Sequence, residues 1–145
     1  MDLYLLGRQD AASALVSQIR EIAFGSVLHT VQDSFAAAHA EREPQSTGVQ
    51  CEGSAYPMPA KIVEFHAYGA QDGALHDHDD SREAMTAVAM DRWPEAVEVT
   101  RNLFELHSDG AKWAGASSYL QCVFTLSDER RASSPGDAYW RATKP

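Results

Sequence analysis

From Ala11 to Ala40 the chain carries a helical pattern of apolar residues with one imidazole and one carboxylate set into it, and that combination limits what the rest can build around it. Leu15, Val16, Ile19, Ile22, Ala23, Val27, Leu28, Val31 and Phe35 recur at three- and four-residue steps. Projected at 3.6 residues per turn they cover more than one face, which predicts a central helix contacted from several sides. His29 and Asp33 fall one turn apart on it. Polar groups buried without partners are costly, so these two need each other, a water or a metal ion.

Downstream, Glu41 to Pro59 reads as an irregular connection, with Pro44, Gly48, Gly53, Pro57 and Pro59 among scattered serines and glutamines. Ala60 to Tyr68 is expected to be a short strand or extended segment. Gly69 to Asp80 reads as a polar loop, or a loop entering a helix. Ser81 suits an N-cap, and Met85, Val88 and Ala89 suggest a helix broken at Trp93. Pro94 fits the first turn of the next helix, carried by Val97, Val99, Thr100, Leu103, Phe104 and Leu106 to Asp109-Gly110. A last helix is expected from Lys112 to Leu126. Residues 127–145 read as an irregular tail, ending in the aromatic pair Tyr139 and Trp140. The expected architecture is mainly α, with residues 1–145 forming a single domain or part of one.

A hydrophobic content of 44% and three tryptophans in 145 residues predict a packed core rather than disorder. The net charge of -9 disfavours a basic surface for the nucleic-acid backbone, so no stable nucleic-acid complex is expected. Chemistry on a phosphate stays open, because bound cations dominate a local field. No apolar stretch reaches bilayer-spanning length. The start, Met1-Asp-Leu-Tyr-Leu-Leu-Gly-Arg8, lacks the features of a secretory signal. A soluble protein of open compartment is expected, secreted or periplasmic if it belongs to a longer precursor. Cys51 and Cys122 are too few for a disulfide scaffold and read by default as two independent thiols, with a bridge left open.

Five of the six histidines fall between positions 29 and 78, interleaved with carboxylates. Zinc takes imidazole nitrogen and carboxylate oxygen, and a catalytic zinc needs three protein ligands and an open position. Asp33, with two oxygens, suits a bridge between metals. His39 lies six positions after Asp33 and joins the cluster only if the helix ends or bends near Ala36 to Ala38. His76 and Asp80, again spaced by four, converge if the chain is helical there, and His39 then completes a three-ligand site. His66, Asp72 and His78 are further candidates, as extra ligands or as residues that orient ligands by hydrogen bonds.

His29-x3-Asp33-x5-His39 followed by His76-x3-Asp80 resembles the zinc-dependent phospholipase C and single-strand nuclease superfamily. The resemblance covers roughly Tyr4 to Asp80 and implies a mostly helical fold and one to three zinc ions. By position it implies that His29 binds one zinc, Asp33 bridges two, and His39, His76 and Asp80 hold the third. The family's last ligand is glutamate in the phospholipases and aspartate in the nucleases, so Asp80 matches the nucleases. The text around Leu28 to Phe35 and Ile62 to Tyr68 is closer to bacterial phospholipases C. No histidine precedes His29, and Met1 stands where the family's amino-terminal tryptophan would be a ligand. The implication is a carboxyl-terminal part of a larger enzyme missing its amino-terminal segment, a homo-oligomer, or a reduced site.

The function expected is hydrolysis of a phospholipid or other phosphodiester by zinc-activated water, with Asp33 positioning metals or acting as general base. Two alternatives stand beside it: a metal-stabilised structural or interaction domain without catalysis, and a nuclease acting on single strands. Plainer readings exist for each residue. His29 and Asp33 form a buried hydrogen-bonded pair, His39 is a solvated helix-end histidine, and Asp72 to Asp80 is an acidic loop. Calcium fits less well than zinc, for want of regularly spaced oxygen ligands. No phosphate-binding glycine loop or serine nucleophile elbow is present.

Overall fold

The computed structural model describes residues 12–44, 46, 48–67, 73–79, 81, 83 and 93–134. The chain divides into two compact units, residues 1–30 and 31–145. The described elements are helix α1 (Ala12–Asp33), strands β1 (Ala40–Arg42) and β2 (Ile62–Phe65), and helices α2 (Gly73–Asp79), α3 (Trp93–Ser108) and α4 (Trp113–Val123). The expected helix around Met85 to Ala89 and the Tyr139–Trp140 pair lie outside the described residues.

The mainly α expectation is corrected by a two-stranded antiparallel sheet of β1 and β2. Its register pairs Ala40 with Phe65 and Glu41 with Glu64, and a bulge then brings Arg42 opposite Ile62. In β2 the burial alternates, with Ile62 and Glu64 inside, as a two-residue period requires. The expected irregular connection from Glu41 therefore begins with a strand. Along its other edge β2 is bridged in parallel sense at Ile62–Leu126 and His66–Ser134. Three main-chain bonds accompany those bridges: Ile62 N–H to Thr125 O (2.9 Å), Ser127 N–H to Ile62 O (2.8 Å) and Ala67 N–H to Ser134 O (2.6 Å). The start of the expected tail is thus fastened to the sheet.

Helix α1 ends at Asp33, earlier than the apolar pattern suggests. The Ser34 hydroxyl donates to Val31 O at 2.6 Å, and the amides of Ser34, Phe35 and Ala36 turn to carbonyls three residues back. A side-chain donor competing for the last carbonyls and tighter terminal bonding both stop an α-helix. In the first unit, the described side chains from Glu21 to Thr30 are all half-buried or exposed. Among the described side chains of α1, the buried one is Val31, in the second unit.

The core of the second unit joins Val31, Phe35, Ala38 and Ala40 to Ile62, Val99, Leu103, Tyr119 and Val123. Arg42 is buried within it and ties three segments together. Its guanidinium donates to Ser34 O (2.7 Å), Ser34 Oγ (2.8 Å), Ala60 O (2.5 Å) and Val123 O (3.2 Å). The same group lies 4.0 Å from the centre of the Phe35 ring. Helix α3 starts with Glu95 in its first turn, where a carboxylate is favoured, and Glu95 accepts from Ala60 N–H at 2.7 Å. It ends in a Schellman turn: Gly110 sits at φ 65°, its amide bonds to His107 O and that of Ala111 to Leu106 O. Asn102 donates to the Tyr119 hydroxyl at 3.0 Å, linking α3 to α4.

The reading of Cys51 and Cys122 as independent thiols is also overturned. They form a disulfide with Cα atoms 5.7 Å apart, joining the 49–58 loop to α4. That loop folds back on itself through Cys51 N–H to Tyr56 O and Met58 N–H to Val49 O. Among the described residues no helix is long and apolar enough to cross a membrane.

Candidate metal site

The residues that the sequence grouped as ligands fall into distinct environments. His39 closes the irregular turn between α1 and β1, where its amide donates to Ala36 O at 3.0 Å. His76 stands in the middle of α2 with its side chain 17% exposed and Nδ1 3.5 Å from Asp77 Oδ1. The rings of His39 and His76 meet edge to face, with centroids 4.8 Å apart and planes at 78°. His76 Nε2 is shielded from solvent. The early end of α1 turns the chain after Asp33, which is what releases His39 from the helix line.

His66 follows β2 directly. Its amide donates to His39 O at 2.8 Å, and its Nδ1 lies 3.3 Å from Ala38 O. Asp33 is the half-buried last residue of α1. His29 is exposed, in the first unit. His78 is exposed on α2, and His107 is exposed in the last turn of α3. Asp72 and Asp80 lie outside the described residues. Among the described residues, no group of three or more His, Cys, Asp or Glu side chains is arranged to hold a metal ion.

A centroid separation of 4.8 Å with planes at 78° is the ordinary edge-to-face packing of two rings. Imidazole nitrogens suit zinc better than calcium or magnesium, which take oxygen.

Other polar groups escape a reading of the sequence. Glu64, 6% exposed, accepts from the Ser134 hydroxyl and from Arg131. The Ser134 hydroxyl and the Arg131 guanidinium hold its carboxyl below its ordinary value, against the opposing effect of burial. The available signal is the two-residue period, which puts Glu64 on the same face as Ile62. Burial pushes the Tyr119 hydroxyl up to about 12. Its ring packs on Tyr56, with centroids 4.9 Å apart, and Tyr56 donates to Glu105 at 3.3 Å. A small crevice bordered by Met58, Glu95, Glu98, Val99 and Asn102 shares no lining with the histidine pair.

Comparisons with protein-family models, with curated proteins and with solved structures return no match for the chain.

Proposed function

We propose that this chain is a zinc-dependent phosphodiester hydrolase, with His39 and His76 as the imidazole ligands of one ion and Asp80 as their carboxylate partner. The observation that supports the reading is the approach of the two rings, which come from separate elements and have centroids 4.8 Å apart. Asp80, which follows His76 by four positions in the sequence, lies outside the described residues.

A zinc ion bound there would supply Lewis acidity, acidifying water and offsetting charge on a phosphoryl oxygen. The protein's own part is positional. Half-burial of both histidines limits competition from bulk water. The turn at 34–39 and helix α2 each present one ring. Asp33 would position metals or act as general base. The substrate assigned is a phospholipid or another small phosphodiester rather than a long polyanion, since a net charge of -9 repels an extended phosphate chain. The Cys51–Cys122 disulfide supports an oxidising compartment, hence a secreted or periplasmic protein.

The test is elemental analysis for zinc in the purified chain, followed by hydrolysis of a chromogenic phosphocholine ester with and without chelator. Zinc together with chelator-sensitive turnover supports the hydrolase. A bound zinc without turnover on this ester, on bis(p-nitrophenyl) phosphate or on single-stranded oligonucleotide overturns it in favour of a metal-stabilised structural domain.

A further inference from the structure

Two bridges fix the segment after α4 to the outer edge of β2, Leu126 at Ile62 and Ser134 at His66. Four steps along a strand cover about 13 Å, whereas eight steps of extended chain reach about 26 Å. The surplus leaves the edge as an excursion, and residues 127–133 are all exposed. Arg131 N–H to Asp128 O at 3.2 Å closes its turn, and Asp128 Oδ1 accepts from Arg130 N–H at 3.0 Å. An exposed turn closed by solvent-accessible bonds opens locally at small cost, which is what an endoprotease requires of its substrate.

The excursion carries the adjacent pair Arg130-Arg131, and the two differ in what holds their side chains. Arg130 is 93% exposed and meets the exposed Asp128 at 3.5 Å, an ion pair of the kind that contributes little in water. Arg131 is 49% exposed, and its guanidinium rests on Glu64, which is 6% exposed. Pulling Arg131 away leaves a buried carboxylate short of its partner, which is costly. A protease selects a basic residue by taking that side chain into a pocket. Arg130 can enter such a pocket from the folded chain, whereas Arg131 first has to leave Glu64.

We propose that the Arg130–Arg131 peptide bond is a processing site for a trypsin-class endoprotease, while Glu64 withholds the Arg131–Ala132 bond next to it. Hydrolysis adds water across the bond: the Arg130 carbonyl carbon takes the oxygen and becomes a carboxylate, and the Arg131 nitrogen leaves as an ammonium group. Cys122 precedes the cut, so the Cys51–Cys122 disulfide does not retain the carboxyl-terminal piece. Arg131 and Ser134 hold that piece through Glu64. The disulfide also supports an oxidising compartment, the setting of secreted endoproteases. Neither a metal nor the hydrolase reading enters the proposal.

The experiment is limited digestion of the full, oxidised chain with trypsin, read by intact mass over time, with the reduced and unfolded chain as reference. Relative to that reference, the native chain is expected to favour the cut after Arg130 over the cut after Arg131 by about 10-fold or more. Cuts after Arg101, inside α3, and after Lys112, at the N-cap of α4, are expected later, because each needs a helix opened. Glu64→Gln is expected to remove the preference for Arg130. If that variant does not fold, Arg130→Gln decides: it should lose the fast cut and be nicked in this segment about 10-fold more slowly than the parent. A native chain cut first after Arg131, or after Arg101 or Lys112 ahead of Arg130, overturns the proposal. So does an unchanged preference in Glu64→Gln, or an Arg130→Gln chain nicked in the segment as fast as the parent.

Discussion

Arg131, on the segment after α4, is ion-paired with Glu64 of β2, and the two side chains differ sharply in exposure at 49% and 6%. Ser134 donates to the other carboxylate oxygen. One buried carboxylate therefore gathers two residues of the carboxyl-terminal segment against the sheet. It also sits opposite Glu41 in the register, where two bare carboxylates would repel.

This arrangement has a pH signature. The folded-state value of Glu64 lies below its ordinary 4.5, so its contribution to stability is fully present above about 4.5 and is lost as pH falls through the lowered folded value. Denaturant unfolding followed from pH 7 to pH 3 should show that loss, and Glu64→Gln should flatten it. At pH 7 Glu64→Gln is expected to cost about 1–3 kcal/mol. Arg131→Met leaves the buried charge short of a partner and is expected to cost about 3 kcal/mol, the low end for such pairs because Arg131 is half exposed. An Arg131→Met chain as stable as the parent would show that solvent replaces the guanidinium.

The Cys51–Cys122 bond ties positions separated by 71 residues. In the chain-entropy account, closing a loop of that length stabilises the fold by about 4 kcal/mol. Reduction, or the double variant Cys51→Ala/Cys122→Ala, is expected to lower the melting temperature accordingly. The unreduced native chain should yield no free thiol on alkylation after unfolding. Two titratable thiols would contradict the pairing.

Arg42 makes four donated hydrogen bonds to three segments. Lysine presents no planar fork and cannot reach the same set. Arg42→Lys and Arg42→Met are both expected to destabilise by about 3 kcal/mol or more, because Ser34, Ala60 and Val123 carbonyls lose a buried donor. Chemical denaturation measures this. A cost below about 1 kcal/mol, the worth of one exposed bond, would mean that water enters and takes over.

What was legible in the sequence follows where local chemistry decides structure. Ile62-Val-Glu-Phe65 declares a strand by β-branched and aromatic residues, and Pro94 and Gly110 mark the two ends of α3. Strand β1 was not legible: Ala40-Glu-Arg42 are helix formers, and only pairing with β2 and the burial of Arg42 make them extended. The end of α1 was hidden too, since a serine back-bond rather than a proline or glycine stops it. The disulfide depends on a tertiary approach that the spacing of two cysteines does not encode. Of the proposed ligands, the edge-to-face approach of His39 and His76 needed the fold, as did the two contacts of His66 with the Ala38–His39 main chain.

Zinc binding by single variants separates the histidine pair from its neighbours. His39→Ala and His76→Ala each remove one imidazole of the proposed ligand set, so each is expected to weaken binding by more than about 100-fold, beyond what loss of a supporting residue costs. The two losses should not add in the double variant, because one ion needs both rings at once. His78 gives the internal control: it is two positions from His76, about 200° around α2, and exposed. His78→Ala and His107→Ala are therefore expected to bind zinc as the parent does. Melting curves without metal report folding separately, so a destabilised chain is not mistaken for a lost ligand. Equal zinc affinity in His39→Ala and in the parent would detach the ring contact from metal binding and leave it a packing interaction between two half-buried side chains.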